Sequence, residues 1–550
     1  MDGDRRRRWP YHLQRNPVRR ACSGAWRQCP CRKCLRDQRP KDAPCRLDDL
    51  RHARRPCGAA LCGQAPGCEI HAWRNRPHDR HCGGHRRRHA AERRKGFHRR
   101  RPGRLPHDGD AQQRAHSDGA IRFRPDDRAR LHHPCRRCRV TPRKSSIRTL
   151  TMFLESLRKR NPAFIEATQN LHQRGNIPAD AYVIDLDTLE QNARILKDEA
   201  TRLDLKIFAM TKQFGRSSSA CQAIMRGGID RSVAVDMACA RATHKAGMRI
   251  GHLGHLQQVA RHEASAAARV LKPDYWTVFN EVKAMEAAAG AAAAGRTQDL
   301  LARIHAEGDT FYRGHEGGFD ADQVAEVADM LDGLEGGRFA GITTFPALLY
   351  DHASRKVLPT QNLTTLSKAA EALAKAGRRG IEINAPGTTS SVMLSALAEA
   401  GATQVEPGNG LHGTTALHAV EDVPESPAVL YVTEVSHLSG GKAYCLGGGF
   451  YIDPIFPDYD VKAIVSSEPT AATSALRSVE VPPPSMIDYY AMIDASGPGA
   501  PKPGDTAIFG FRGQAFVTRA YVVGVSGISR GEPRVETIEY TNGEPAAWPL

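Results

Sequence analysis

The chain has 550 residues, 41% of them hydrophobic, and a formal net charge of +18 at pH 7. That charge is uneven: residues 1–150 hold 37 Arg and 4 Lys against 14 Asp+Glu, a net of +27, which leaves −9 for residues 151–550. From 151 onward the acidic balance excludes a body built to neutralise phosphates by overall positive charge. No apolar run reaches the length of a membrane-spanning helix.

Residues 1–150 carry arginine runs at Arg5 to Arg8, Arg86 to Arg88 and Arg99 to Arg101, with no sustained apolar period and hence no expected core. Eleven of the 14 cysteines lie here. Cys29, Cys31, Cys34 and the pair Cys135 and Cys138 are spaced partly like zinc ligands, but they do not repeat as paired knuckles. A nucleic-acid-binding arm, a zinc module and upstream sequence translated from a misplaced start all fit such a segment. The last is the expectation adopted, because Arg exceeds Lys about ninefold, in a mixture of Arg, Pro, His, Cys and Gly that a GC-rich message gives without selection for folding. Met152 is then the expected start, and nucleic acid is not an expected partner. There is no apolar stretch of signal-peptide type, and the acidic residues and scarce serine argue against a transit peptide. The remaining thiols, Cys221, Cys239 and Cys445, form no disulfide framework, which points to a reducing, cytoplasmic setting.

From 181 onward short apolar runs alternate with Ala-rich amphipathic stretches. The runs 206–212, 231–237, 249–254, 275–280, 299–306, 339–346, 380–387 and 402–408 read as strands. Helical patterns at 187–203, 281–294, 321–334, 362–376 and 389–400 lie between strands. Such alternation implies βαβ crossovers and a parallel sheet, and eight units in about 200 residues predict a closed (β/α)8 barrel, with an open doubly wound sheet as the alternative. After 425 the character changes: 429–436, 515–524 and 535–540 read as strands between Gly/Pro turns, with a Pro-rich link at Pro482 to Pro484. The expected division is a barrel with a leading helix over 152–424 and a β domain over 425–550.

In a barrel of this kind chemistry sits at the C-terminal strand ends. Three features fall on that rim: Lys212 ending the first strand, Gly387-Thr388-Thr389-Ser390 after the seventh, and Glu406-Pro407-Gly408-Asn409-Gly410 after the eighth. A lysine at a buried strand end is costly unless paired or covalently used, and a Schiff base uses it. Gly-rich turns offer backbone N–H groups to a phosphate. Singly, Lys212 could reach solvent and the glycines could merely close turns. Together they point to pyridoxal 5′-phosphate (PLP).

On these residues the sequence resembles the alanine-racemase-like (fold type III) PLP enzymes over about residues 180–550, and Met210-Thr-Lys-Gln-Phe-Gly-Arg216 is similar to a branch of predicted amino-acid racemases. The resemblance implies that Lys212 holds the cofactor, and that Gly387, Thr388, Thr389, Ser390, Gly408, Asn409 and Gly410 hold its phosphate. It also implies a homodimer in which the partner's β domain completes the site. Alanine racemases have Arg-x-Gly at the end of strand eight, with the Arg facing the pyridine nitrogen. Here the triplet is Glu406-Pro407-Gly408, similar to the decarboxylases of this fold. A carboxylate there favours a protonated ring and a stronger electron sink. Phe345 stands where relatives often stack a histidine on the ring.

The expected activity is an amino-acid racemase or epimerase acting at the α-carbon through Lys212. A decarboxylase or other lyase, and a non-catalytic PLP carrier, are the alternatives. Two-base racemisation needs a second group. His437 is the expected one, with Cys445, Tyr489 and Tyr490 as weaker candidates. His252 and His255 are spaced i, i+3, but no carboxylate or third ligand is evident beside them, so no metal is expected.

Overall fold

The computed structural model describes residues 152–549 except 457–458 and 469–470, so the expectations for residues 1–150 lie outside the described residues. β1 (Ala181–Asp185) comes first. The first barrel strand is interrupted at Phe208 into β2 (Lys206–Ile207) and β3 (Ala209–Met210). β4 (Arg231–Ala234), β5 (Arg249–Leu253), β6 (Tyr275–Val278) and β7 (Gln298–His305) follow; β8 (Phe319–Asp320) is a short addition to β7. β9 (Gly337–Thr343) precedes a hairpin of β10 (Leu348–Asp351) and β11 (Lys356–Pro359), and β12 (Glu382–Asn384) and β13 (Gln404–Val405) complete the set.

All neighbouring barrel pairs are parallel. β2 pairs with β13 on one side and β3 with β4 on the other, so one strand carried through Phe208 closes the ring. The Phe208 N–H donates to Val405 O at 3.0 Å and the Met210 N–H to Pro407 O at 2.9 Å, continuing the seam. This is the closed eight-stranded barrel that the alternating pattern predicts, and each predicted strand has its counterpart. The helices start where a polar side chain meets their free N–H groups: Asp236 accepts from Cys239 N–H before Met237–Lys245, and Asn280 from Lys283 N–H before Glu281–Ala293.

The C-terminal part contains β14 (Val429–Ser439), β15 (Lys442–Leu446), β16 (Lys462–Ser466), β17 (Leu476–Glu480), β18 (Tyr490–Asp494), β19 (Thr506–Phe509), β20 (Tyr521–Ser526) and β21 (Arg534–Tyr540). The antiparallel order β14-β15-β18-β17-β16-β19 returns to β14 and makes a second, smaller closed barrel. β1 then pairs antiparallel with β14 and parallel with β20, which carries β21 at the edge.

Two expectations are corrected here. The chain before the barrel belongs with the β domain: helices Phe153–Arg160 and Pro162–Gln173 bury Leu154, Leu157, Phe164 and Ile165 against Val183, Val432, Ile508 and Val523. Each such side chain contributes about 1.5–3 kcal/mol on burial, which the barrel face, already covered by its own helices, does not offer. The expected strand at 515–524 starts only at Tyr521, because Ala515–Val517 form a 3-10 turn that hangs over the barrel mouth. No helix among the described residues is long and apolar enough to cross a membrane.

Candidate active site

Between the barrel rim and the β domain lies a cavity of about 520 Å³. Lys212, Gly387, Thr388 and Thr389 line it from strands one and seven. Glu406, Gly408 and Asn409 line it from strand eight, while Gly410 and Ser390 are not among the lining residues, Gly410 packing against the backbone of Thr389 and Ser390. The rim predicted from sequence is therefore assembled in space. Lys212 does not end its strand, however: β3 stops at Met210, and Lys212 opens a 3-10 turn, Lys212–Phe214.

Among the described residues no hydrogen bond or ion pair holds the Lys212 ammonium, which lies 5.3 Å from the centre of the Phe516 ring. Burial, helped by the charge of Arg512, holds it below the ordinary lysine range. An amine in this state is easier to deprotonate, and only the neutral amine is a nucleophile.

Glu406 is buried. Its Oε1 lies 2.5 Å from His252 Nδ1 and accepts from Asn384 Nδ2 at 2.9 Å. Its Oε2 is buried without a hydrogen-bond partner among the described residues, with His255 Nε2 at 3.6 Å. Burial opposes the charge, but the imidazoles of His255 and His252 and the bonds from His252 and Asn384 outweigh it, holding the carboxyl below its usual range. The expectation that no carboxylate accompanies His252 and His255 is thus corrected: strand eight brings Glu406 to them, with one ligand-type atom of each within 4.8 Å of the others. His252 Nε2 lies 2.5 Å from Thr277 Oγ1, so both its ring nitrogens are engaged.

The loops after strands seven and eight are partly spoken for. The Thr388 N–H donates to Leu348 O at 3.1 Å and the Ser391 N–H to Glu425 Oε1 at 2.6 Å. Among the described residues the N–H groups of Thr389, Asn409 and Gly410 make no hydrogen bond, and the Ser390 hydroxyl is buried and unpartnered. Gly410 is small for a packing reason: a Cβ there would stand 2.4 Å from Thr389 O, so it lets the two loops touch.

The roof comes from residues that no sequence pattern singled out. Asp453 lies 3.5 Å from Arg512 Nη1 and accepts from Gln514 Nε2 at 3.1 Å. With the Asn409 amide turned to satisfy its neighbours, its oxygen accepts from Arg512 Nε and Nη2 at 2.9 and 3.0 Å, joining the roof to loop eight. Tyr312 and His315, from the loop after β7, pack on Phe345, whose ring the His255 edge meets at 5.4 Å. Phe345 thus lines the cavity as the sequence suggests.

The second-base candidates are placed elsewhere in this chain. His437 is exposed on β14, stacked on Tyr444 at 4.6 Å with Tyr490 edge-on at 5.2 Å. Tyr489 is exposed beside Arg519. Cys445 is buried against Ala491 O, and burial pushes its thiol up to about 12. None of these lines the cavity.

A (β/α)8 barrel, a β barrel after it, and a lysine and a buried carboxylate lining one cavity from the neighbouring strands one and eight define the alanine-racemase-like class. The sequence model of the alanine racemase N-terminal domain matches residues 184–416, and that of the YhfX-like C-terminal domain matches 430–535. "Uncharacterized protein YhfX" of Escherichia coli (strain K12) is 38% identical over 384 residues, which is 70% of this chain and 97% of that one. The chain belongs to the alanine-racemase-like (fold type III) family, in its YhfX-like branch. Among solved structures, D-threonine aldolase from Filomicrobium marinum aligns with a TM-score of 0.47 at 16% identity, over 67% of this chain and 96% of its own. Alanine racemase of Clostridium difficile 630 in complex with cycloserine aligns with a TM-score of 0.47 at 14% identity, over 66% and 99%.

Proposed function

We propose that this chain is a PLP-dependent racemase or epimerase that acts at the α-carbon of an amino acid. One observation carries the reading: among the described residues Glu406 presents a buried, unpartnered oxygen in the same cavity as a lysine that has no ion pair. Leaving a buried carboxylate oxygen unmatched costs free energy, and a pyridinium N–H is a donor of the right charge and shape for it.

The other groups fit the same cofactor. Lys212 would hold it covalently, and the free N–H groups of Thr389, Asn409 and Gly410, with the Ser390 hydroxyl, would take its phosphate. Phe345 offers a face for the ring. PLP, when bound, draws electrons from the substrate's α-carbon and makes its C–H acidic. Lys212 then takes or returns the α-proton on one face, while the roof of Tyr451, Asp453, Arg512 and Phe516 screens the carbon from water.

The proposal includes a homodimer whose partner β domain covers the site. The exposed side chains Leu438, next to His437 in the chain, and Met486, Ile487 and Tyr489, just before its ring neighbour Tyr490, support an interface on the β domain, and such a contact is the route by which His437 would reach a site. The buried free thiols of Cys221, Cys239 and Cys445 suit the cytoplasm.

Purified full-length protein incubated with PLP is expected to show a visible absorption band that borohydride bleaches and that Lys212→Ala lacks. A colourless, PLP-free protein overturns the reading. Amino acids incubated in deuterated water then fix the reaction. Exchange of the α-proton with inversion supports the racemase, whereas release of carbon dioxide or an aldehyde makes the protein a lyase, which the carboxylate at 406 also suits.

A further inference from the structure

We infer that His315 supplies the second acid–base group of the site, facing the substrate carbon from the side opposite Lys212; this rests on the racemase reading above. The argument starts from the barrel's own geometry. The ring runs from the 206–210 strand through β4, β5 and β6 to β7, and returns through β9, β12 and β13. Strand one and strand five (β7) therefore stand four places apart in a ring of eight, on opposite walls of the mouth. Lys212 follows strand one and His315 lies in the loop after strand five, and both line the same cavity. With Glu406 and the phosphate loops on strands seven and eight fixing the plane between those walls, the two basic groups approach it from different sides.

The loop is built to hold His315 there. Arg303, near the end of β7, is 1% exposed, an unusual place for a guanidinium. It donates to His315 O at 2.6 Å and to Gly317 O at 3.2 Å, and lies 4.7 Å from the centre of the Phe279 ring. The close return of the chain is possible because residue 318 is glycine, with φ +133° and a would-be Cβ 2.6 Å from Arg303 O. The imidazole packs on Tyr312 at 5.7 Å and Phe345 at 6.1 Å, and its Nδ1 is buried with no hydrogen-bond partner among the described residues. A buried polar atom without a partner needs an explanation, and a proton exchanged with substrate is one.

Of the other cavity histidines, His255 also has an Nδ1 with no partner among the described residues, but it follows strand three, not strand five, and is buried with its Nε2 3.6 Å from Glu406 Oε2. His352 is packed edge-on against Tyr350 and Phe456. Burial, with the nearby charges of Lys212 and Arg303, holds His315 below the ordinary imidazole range, so it stands neutral and able to accept a proton. In one direction His315 takes the α-proton, the C–H electron pair stays on the carbon, and the Lys212 ammonium delivers a proton to the other face. In the reverse direction the two exchange roles, and no co-reactant is needed.

Diethyl pyrocarbonate mapping of the full chain by mass spectrometry gives a readout apart from turnover. His315 is expected to react in PLP-free protein and to be protected several-fold after loading, with His262, exposed and outside the cavity, as internal reference. In deuterated water, His315→Asn and His315→Gln are expected to keep the PLP band but to lose inversion by about 100-fold or more, while one enantiomer still exchanges its α-proton with retention through Lys212. Inversion within about twofold of wild type in both variants, or equal reactivity of His315 with and without PLP, overturns the inference and leaves the cofactor reading intact. Loss of the PLP band in both variants also overturns it, since His315 would then support the cofactor. If the wild type binds no PLP at all, the racemase reading itself fails.

Discussion

His252 Nδ1 lies 2.5 Å from Glu406 Oε1, and that contact fixes the state of both groups. The carboxyl, held below its usual range, is an acceptor only, so His252 Nδ1 carries the proton. The bond occupies one oxygen and leaves the other, Oε2, for the cavity.

Glu406→Gln tests what that second oxygen does. The amide keeps the shape and the His252 bond but removes the charge that would stabilise a protonated ring. The variant is expected to bind PLP and show its band, while α-proton exchange falls by about 100-fold or more, as when one charged stabiliser of a developing charge is lost. Exchange in deuterated water, followed by NMR, measures this; a wild-type rate would remove Glu406 from the mechanism.

The His252–Glu406 pair also marks where the sequence stops being legible. The eight barrel strands can be read because they are short apolar runs that alternate with amphipathic helical stretches, a local signal. Lys212 and Glu406 can be read because closed-barrel topology puts all strand ends on one rim. His252 and Glu406 are 154 residues apart, so no spacing announces their contact. β1 looks like one more buried strand before a helix; only its pairing with Val432 and Tyr521, at the far end of the chain, shows that it belongs to the β domain. Asp453, Arg512 and His315 lie in loops, where position comes from tertiary contacts and not from a repeat. The family resemblance implies a base on the β domain, for which His437 is the candidate, yet in this chain it is stacked on Tyr444 outside the cavity.

Gly410 and Gly408 give a paired test of the phosphate cradle. A Cβ at 410 would meet Thr389 O, a backbone atom, at 2.4 Å, so Gly410→Ala must push the two loops apart. A Cβ at 408 meets Gln213 Nε2, also at 2.4 Å, but that is the end of a side chain that can turn away. Gly410→Ala is expected to weaken PLP binding by about tenfold or more, the equivalent of about 1.4 kcal/mol, and Gly408→Ala by clearly less. Titration of the band with PLP gives both values. Equal weakening would mean that contact between the loops does not set the cradle.

Asp180 gives a stability prediction that is independent of the cofactor. It precedes β1 with φ 59°, and its Oδ1 accepts from Tyr431 Oη at 2.7 Å. Burial pushes its carboxyl up to about 7, against the lowering effects of Tyr431 and Arg519, with Asp488 adding to the rise. An unfolded aspartate titrates near ~3.9, so the folded protein binds the proton more tightly. The stability gained is complete below about pH 4 and is lost as the pH rises through about 7. Asp180→Asn keeps the size and tolerates the left-handed backbone, and it does not titrate. The urea midpoint of the wild type, measured relative to this variant, is therefore expected to fall between about pH 4 and pH 8. A constant difference would mean that Asp180 stays ionised in the folded state, and that Arg519 outweighs its burial.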